Sequence, residues 1–164
     1  MKGLDPVLHA HTIIVVFCYI FKDDRILLIE RNREPYPGDI TIPGGKKEKG
    51  ETFVNACKRE IIEECGLELG QICLAGMVNN FSPDPLSEVL SVYFVTDNFS
   101  GEAAAGSEGS IEWYKIEDSF NLPNISPFYR IISPWVLDAE SRVFHGHIRI
   151  DNGGSIIDSR LEYF

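Results

Sequence analysis

Basic side chains are scarce in this chain. Fifteen lysines and arginines stand against 25 aspartates and glutamates, giving a formal net charge of -10 over 164 residues. That deficit excludes a general nucleic-acid-polymer binder or anionic-membrane binder, because both need a basic surface. It leaves a phosphorylated small molecule open, since bound cations invert the local field. Cysteine is sparse too. The four present, Cys18, Cys57, Cys65 and Cys73, form no C-x-x-C pair and have no histidine at zinc spacing. Cys57 and Cys65 fall within one expected helix and cannot bridge each other, so all four read as reduced, buried thiols. His9, His11, His145 and His147 alternate in pairs. His145 and His147 read as neighbours on one face of a strand rather than as ligands. The longest apolar run, Ile13 to Phe21, is too short to span a bilayer and lacks the flanks of a signal peptide. It reads as a buried strand, and the cytoplasm is the expected location. Repeats, low-complexity tracts and linkers are absent, and residues 1–164 are expected to form one domain.

What is present is a series of short apolar segments bounded by turn residues. Strands are expected near His11–Phe21, Arg25–Arg31, Gln71–Phe81, Val89–Thr96 and Ile111–Lys115. Asp23-Asp24 suggests a hairpin between the first two. Ser100 to Gly109 reads as a loop. A helix is expected from Ser126-Pro127, with a kink or break at Pro134. The tail alternates at Val143–Ile150 and Ser155–Leu161 around Asn152-Gly153-Gly154, which suggests a closing hairpin. The pattern predicts an α+β fold, a mixed β-sheet sandwiched between helices.

The segment Gly45 to Leu67, GKKEKGETFVNACKREIIEECGL, carries the chemistry. Thr52 suits an N-cap, and Phe53 to Cys65 suits a helix with apolar Phe53, Val54, Ala56, Cys57, Ile61 and Ile62 on one side. Gly66 stands where a left-handed residue stops a helix. Helical spacing puts Glu60, Glu63 and Glu64 on nearly one face, opposite the apolar side. Such a face attracts a hard divalent cation, which prefers oxygen ligands and grips phosphates. Solvated glutamate faces are common, so the triplet alone decides little. The whole segment fits G-x5-E-x7-R-E-U-x-E-E-x-G-U, where U is aliphatic, through Gly45, Glu51, Arg59, Glu60, Ile61, Glu63, Glu64, Gly66 and Leu67. A chance match in a chain of this length has odds of about one in ten million.

This pattern resembles the signature box of the Nudix hydrolases. The resemblance implies the Nudix fold and a magnesium-dependent pyrophosphohydrolase, with manganese as the alternative ion. It implies metal ligation by Glu60, Glu63, Glu64 and a carbonyl of Gly44 or Gly45, with Arg59 holding the loop glutamate Glu51. Glu60 and Glu64 are the box candidates for general base. The segment Ser107-Glu108-Gly109, before Trp113-Tyr114, is similar to a stretch in MutT-like oxidised-purine nucleoside triphosphatases. That makes Glu108 a candidate catalytic and metal-facing glutamate, with Glu112 as the weaker option. Phe144-His145-Gly146 resembles a late segment of the same enzymes.

The expected substrate is a nucleoside polyphosphate. A nucleoside triphosphate such as 8-oxo-dGTP would be cut to monophosphate and pyrophosphate. The alternatives are ADP-ribose, a dinucleoside polyphosphate or another nucleoside diphosphate-X compound, and, in another class, a non-catalytic binding module. Pro83 and Pro85, downstream of the box, leave the ADP-ribose reading open. Such modules have usually lost box glutamates, and all are intact here. Thr41, Asn80, Phe81 and Asn124 are the candidate base-pocket residues, with Asn79 beside them. Thr41 stands where those enzymes carry an asparagine, and their acidic pair is absent near Asn124. A monomer or homodimer is expected.

Overall fold

The computed structural model describes residues 11–83 and 87–164, so His9 and Pro85 lie outside the described residues. Strands β1 (His11–Lys22) and β2 (Arg25–Arg31) form a hairpin with Asp23 at φ 54°. The edges of that hairpin collect β3 (Ile40–Thr41) and β4 (Gly44–Lys46). There follow α1 (Phe53–Cys65), β5 (Glu68–Leu69), β6 (Cys73–Phe81), β7 (Ser87–Thr96), β8 (Phe99–Ser100) and β9 (Gly109–Lys115). The short α2 (Ile116–Ser119), α3 (Pro127–Leu137), β10 (Phe144–Ile150) and β11 (Ile156–Tyr163) complete the order.

Nine strands make one mixed sheet along the path β11-β10-β6-β7-β1-β2-β3, with β4 on β1 and β9 on β2. The β1–β7 and β6–β10 pairings are parallel. The hairpin partner touches β1 only at Phe21↔Ile26 and Lys22↔Arg25. The upstream edge of β1 is therefore free for β4, which pairs Gly44–Lys46 with Val15–Phe17. This pairing delivers Gly44 and Gly45 to the middle of the sheet.

Both faces of the sheet are covered, which explains why β1 is apolar almost throughout. Val16, Cys18 and Ile20 pack with Ala56, Cys57, Ile61 and Cys65 of α1. Tyr19 packs on the other face with Tyr129, Ile132 and Val136 of α3, and Phe17 and Phe21 pack against that cluster. The strand period of two assigns alternate residues to alternate cores. Tyr19 Oη and Ser133 Oγ lie 2.9 Å apart, and Tyr129 Oη and Ser119 Oγ 2.7 Å, so the buried hydroxyls on the α3 side are partnered.

The helix–sheet–helix expectation holds, and several details differ. The two- and three-residue strands β3, β4, β5 and β8 have no periodic signal to read. Helix α3 runs through Pro134 without breaking. It ends three residues later, and the Asp138 N–H donates to the Pro134 carbonyl at 3.0 Å. Three cysteines are buried, but Cys73 is exposed. In α1, Val54 and Ile62 face solvent instead of the core. Among the described residues no helix is long and apolar enough to cross a membrane. The two neighbouring isoleucines of α1 test its orientation. Ile61 is 0% exposed and Ile62 51%. Ile61→Ala should lower unfolding free energy by about 2–5 kcal/mol in urea titration, whereas Ile62→Ala should stay within about 0.5 kcal/mol.

Candidate active site

The site is built where β4 passes beneath α1. Thr52 caps the helix, its Oγ1 accepting from Asn55 N–H at 3.1 Å, and Gly66 closes it at φ 68°. Gly44 has φ 155°, and a Cβ there would overlap the Val16 carbonyl. A Cβ on Gly45 would overlap the Glu60 carboxylate. At Gly44 the obstacle is fixed backbone, so that position requires glycine, whereas at Gly45 the obstacle is the tip of a side chain. The Gly44 N–H donates to Glu64 Oε2 at 2.8 Å.

Glu64 is 2% exposed, against the expectation that it would sit on the polar face with Glu60 and Glu63. The reason lies in helical spacing. Glu64 is three residues after Ile61 and seven after Cys57, so it shares their buried stripe. Its Oε1 has no hydrogen-bond partner. Burial pushes the Glu64 carboxyl up to about 8, against the opposing pull of the Gly44 N–H. Burial also raises Glu60, and the adjacent Arg59 opposes it.

Arg59 gathers the remaining acids. Its Nε and Nη2 donate to the two Glu51 oxygens at 2.7 and 3.0 Å. Its Nη1 reaches Glu60 at 2.8 Å and Glu63 at 3.3 Å, and Nη2 also donates to the Lys46 carbonyl. This forked grip holds the Glu51 carboxyl down at about 2. The expected convergence of three box glutamates is therefore partial. Glu60 and Glu64 lie against Gly44 and Gly45 of β4, while Glu63 stays 58% exposed on the outer side of Arg59. Among the described residues no three acidic, histidine or cysteine side chains converge on one point.

A cleft of about 820 Å³ opens between this junction and the sheet face beneath α3. Glu60, Glu63, Arg59, Gly44, Gly45 and Glu108 line its acidic end. Phe17, Tyr19, Tyr93, Phe128 and Ile132 give the other end an apolar floor and wall. Thr41 and Asn80 line it as expected. Phe81 does not. It follows Asn80 on one strand, so it points to the opposite face, where its ring meets His147 at 6.0 Å. Asn79 is exposed on that same far face. Asn124 is also outside the cleft: it is exposed, its carbonyl takes the Ile40 N–H, and Ser126 lines the wall instead. Glu112 is exposed on β9 and is not part of the lining, whereas Glu108 is. Sequence reasoning missed Arg31, at the end of β2, and Arg33, Tyr36 and Asp39 of the loop between β2 and β3, all of which line the cleft.

The junction suits a divalent cation. It offers hard oxygen donors, one buried carboxylate oxygen is left without a partner, and Gly44 and Gly45 put no side chain in the way.

Comparison with known proteins agrees with this geometry. The NUDIX domain model matches residues 11–136. The chain is similar to an ADP-ribose pyrophosphatase of Methanocaldococcus jannaschii, 37% identical over 120 residues, covering 73% of this chain and 69% of that protein. It is 26% identical over 144 residues to an oxidized purine nucleoside triphosphate hydrolase of Danio rerio, covering 87% and 90%. The crystal structure of a mutator MutT protein from Bacillus halodurans superposes with a TM-score of 0.81 at 27% identity, covering 92% and 97%.

The Glu64 carboxyl gives the metal-free protein a distinctive pH response. It titrates near 8 when folded and at 4.5 when unexposed to the fold, so the folded state holds the extra proton between those values. Its stabilising contribution is whole below about pH 4.5 and lost as pH rises through about 8. In a chelator, stability should therefore fall from pH 5 to 8, by at most about 1.4 kcal/mol per pH unit. Glu64→Gln should flatten that slope in denaturant titrations at several pH values. An equal slope in both proteins would rule the assignment out.

Proposed function

The chain belongs to the Nudix family of hydrolases, and from that premise we propose that it is a magnesium-dependent pyrophosphohydrolase of nucleoside triphosphates. The products are a nucleoside monophosphate and pyrophosphate, and an oxidised purine nucleotide such as 8-oxo-dGTP is the substrate class. The observation that carries this reading is the junction itself: a cleft with an apolar floor runs into carboxylates packed on the paired glycines of β4. Such a cleft suits a base at one end and phosphates at the other. The near full-length similarity to the zebrafish enzyme supports a triphosphate.

In this reading Glu60, Glu63, Glu64 and a carbonyl of Gly44 or Gly45 would hold the cation, with Glu108 adding negative charge beside them. Such an ion, when bound, would neutralise charge on the phosphate oxygens, with manganese as the alternative to magnesium. Arg59 keeps Glu51 and Glu60 in place through its fork. Glu64 is suited to take the proton of the attacking water, because the Gly44 N–H fixes its Oε2 and its Oε1 has no other partner. Phe17, Tyr19 and Tyr93 exclude water from the base, and Thr41 and Asn80 offer it polar contacts.

A second reading, hydrolysis of ADP-ribose or a related nucleoside diphosphate-X compound, is favoured by the archaeal relative at 37% identity. The intact glutamates argue against a non-catalytic module. A panel of 8-oxo-dGTP, ordinary triphosphates, ADP-ribose and diadenosine polyphosphates, followed by phosphorus NMR of the products, separates these readings. The expected outcome is monophosphate plus pyrophosphate, with Glu64→Gln lowering kcat by about 10²–10⁴-fold. Turnover confined to ADP-ribose would replace the first reading with the second.

A further inference from the structure

Glu108 stands in the cleft with its carboxylate already engaged. Its Oε1 accepts from Arg33 Nη1 at 2.9 Å, and Arg33 Nη2 lies 3.5 Å from Ser107 Oγ. The backbone beneath is held by a different residue. The Asn32 N–H donates to the Glu108 carbonyl at 2.9 Å, and Asn32 Nδ2 to the Ser107 carbonyl at 3.2 Å. The loop therefore keeps its anchor whether or not Arg33 is paired with Glu108. Both charged side chains line the same cleft as Glu60 and Glu63, and they remain 55% and 39% exposed. An ion pair this open to water is weak and readily exchanged. A polyphosphate entering the cleft presents paired oxygens that match the guanidinium fork and carry more charge than one carboxylate.

We propose that Arg33 is a substrate-sensing positioning residue: a phosphate group of the substrate takes Arg33 from Glu108, and the released carboxylate turns towards Glu60 and Glu64. The inference rests on the reading that a nucleoside polyphosphate occupies this cleft. It goes beyond that reading by making the acidic set complete only when substrate is bound. Substrate and cation then strengthen each other's binding, as linkage requires. A cation alone meets a site in which one carboxylate is held back.

The test uses two independent readouts on wild type, Arg33→Met, Arg33→Lys, Glu108→Gln and the Arg33→Met/Glu108→Gln double variant. The first is calorimetric binding of manganese alone, with no nucleotide present. Release of Glu108 should make Arg33→Met bind manganese about tenfold more tightly than wild type, and adding Glu108→Gln should remove the gain. The second is the split between KM and kcat on the nucleotide that wild type hydrolyses. Arg33→Met should raise KM about 10–100-fold in both the wild-type and Glu108→Gln backgrounds, and Arg33→Lys should restore most of it. Unchanged manganese affinity in Arg33→Met, or a loss confined to kcat, would overturn the exchange. If wild type hydrolysed no nucleotide, the functional reading would fail by itself, and the manganese comparison would still decide whether Arg33 restrains Glu108.

Discussion

The whole site depends on one close approach, that of the Gly44–Gly45 backbone to the carboxylates of α1. Side chains at either glycine would collide, with the Val16 carbonyl at one position and the Glu60 carboxylate at the other. Because the space is kept clear, an N–H can reach Glu64 at 2.8 Å inside the fold. The same approach fixes β4 to the edge of β1, the strand buried on both faces. Sheet, helix and acidic set are thus tied together by a contact that depends on the absence of a side chain at Gly44.

Neighbouring acids in this junction are driven in opposite directions. Glu51 is held by a bidentate arginine, which keeps it charged, and Glu64 is buried with one oxygen unpartnered, which favours the proton. Environments that push similar groups apart are how one site divides charge binding from proton transfer. Arg59 is the pivot, reaching Glu51, Glu60, Glu63 and a main-chain carbonyl from one planar fork. A lysine could not replicate that geometry.

Much of this was legible in the sequence where local rules act. The cap at Thr52, the left-handed Gly66 and the spacing of the box predicted α1 with its bounds, and the unbroken apolar run from Ile13 to Phe21 predicted a buried strand. Local rules failed where a residue answers to two masters. Glu64 satisfies the acidic spacing and also the buried stripe of Cys57 and Ile61, and burial won. Asn80 and Phe81 cannot both face one cleft, which the strand period already forbids. Asn124 spends its carbonyl on Ile40, so the chain turns its side chain outwards. The pair of Arg33 and Glu108 spans 75 residues, and no local pattern announces it.

The most direct test of the central claim is the position of a manganese ion in crystals of this protein, located from its anomalous scattering. The account predicts a peak between the Gly44–Gly45 backbone and the carboxylates of Glu60 and Glu64. A peak elsewhere in the molecule, or none at saturating manganese, would contradict it.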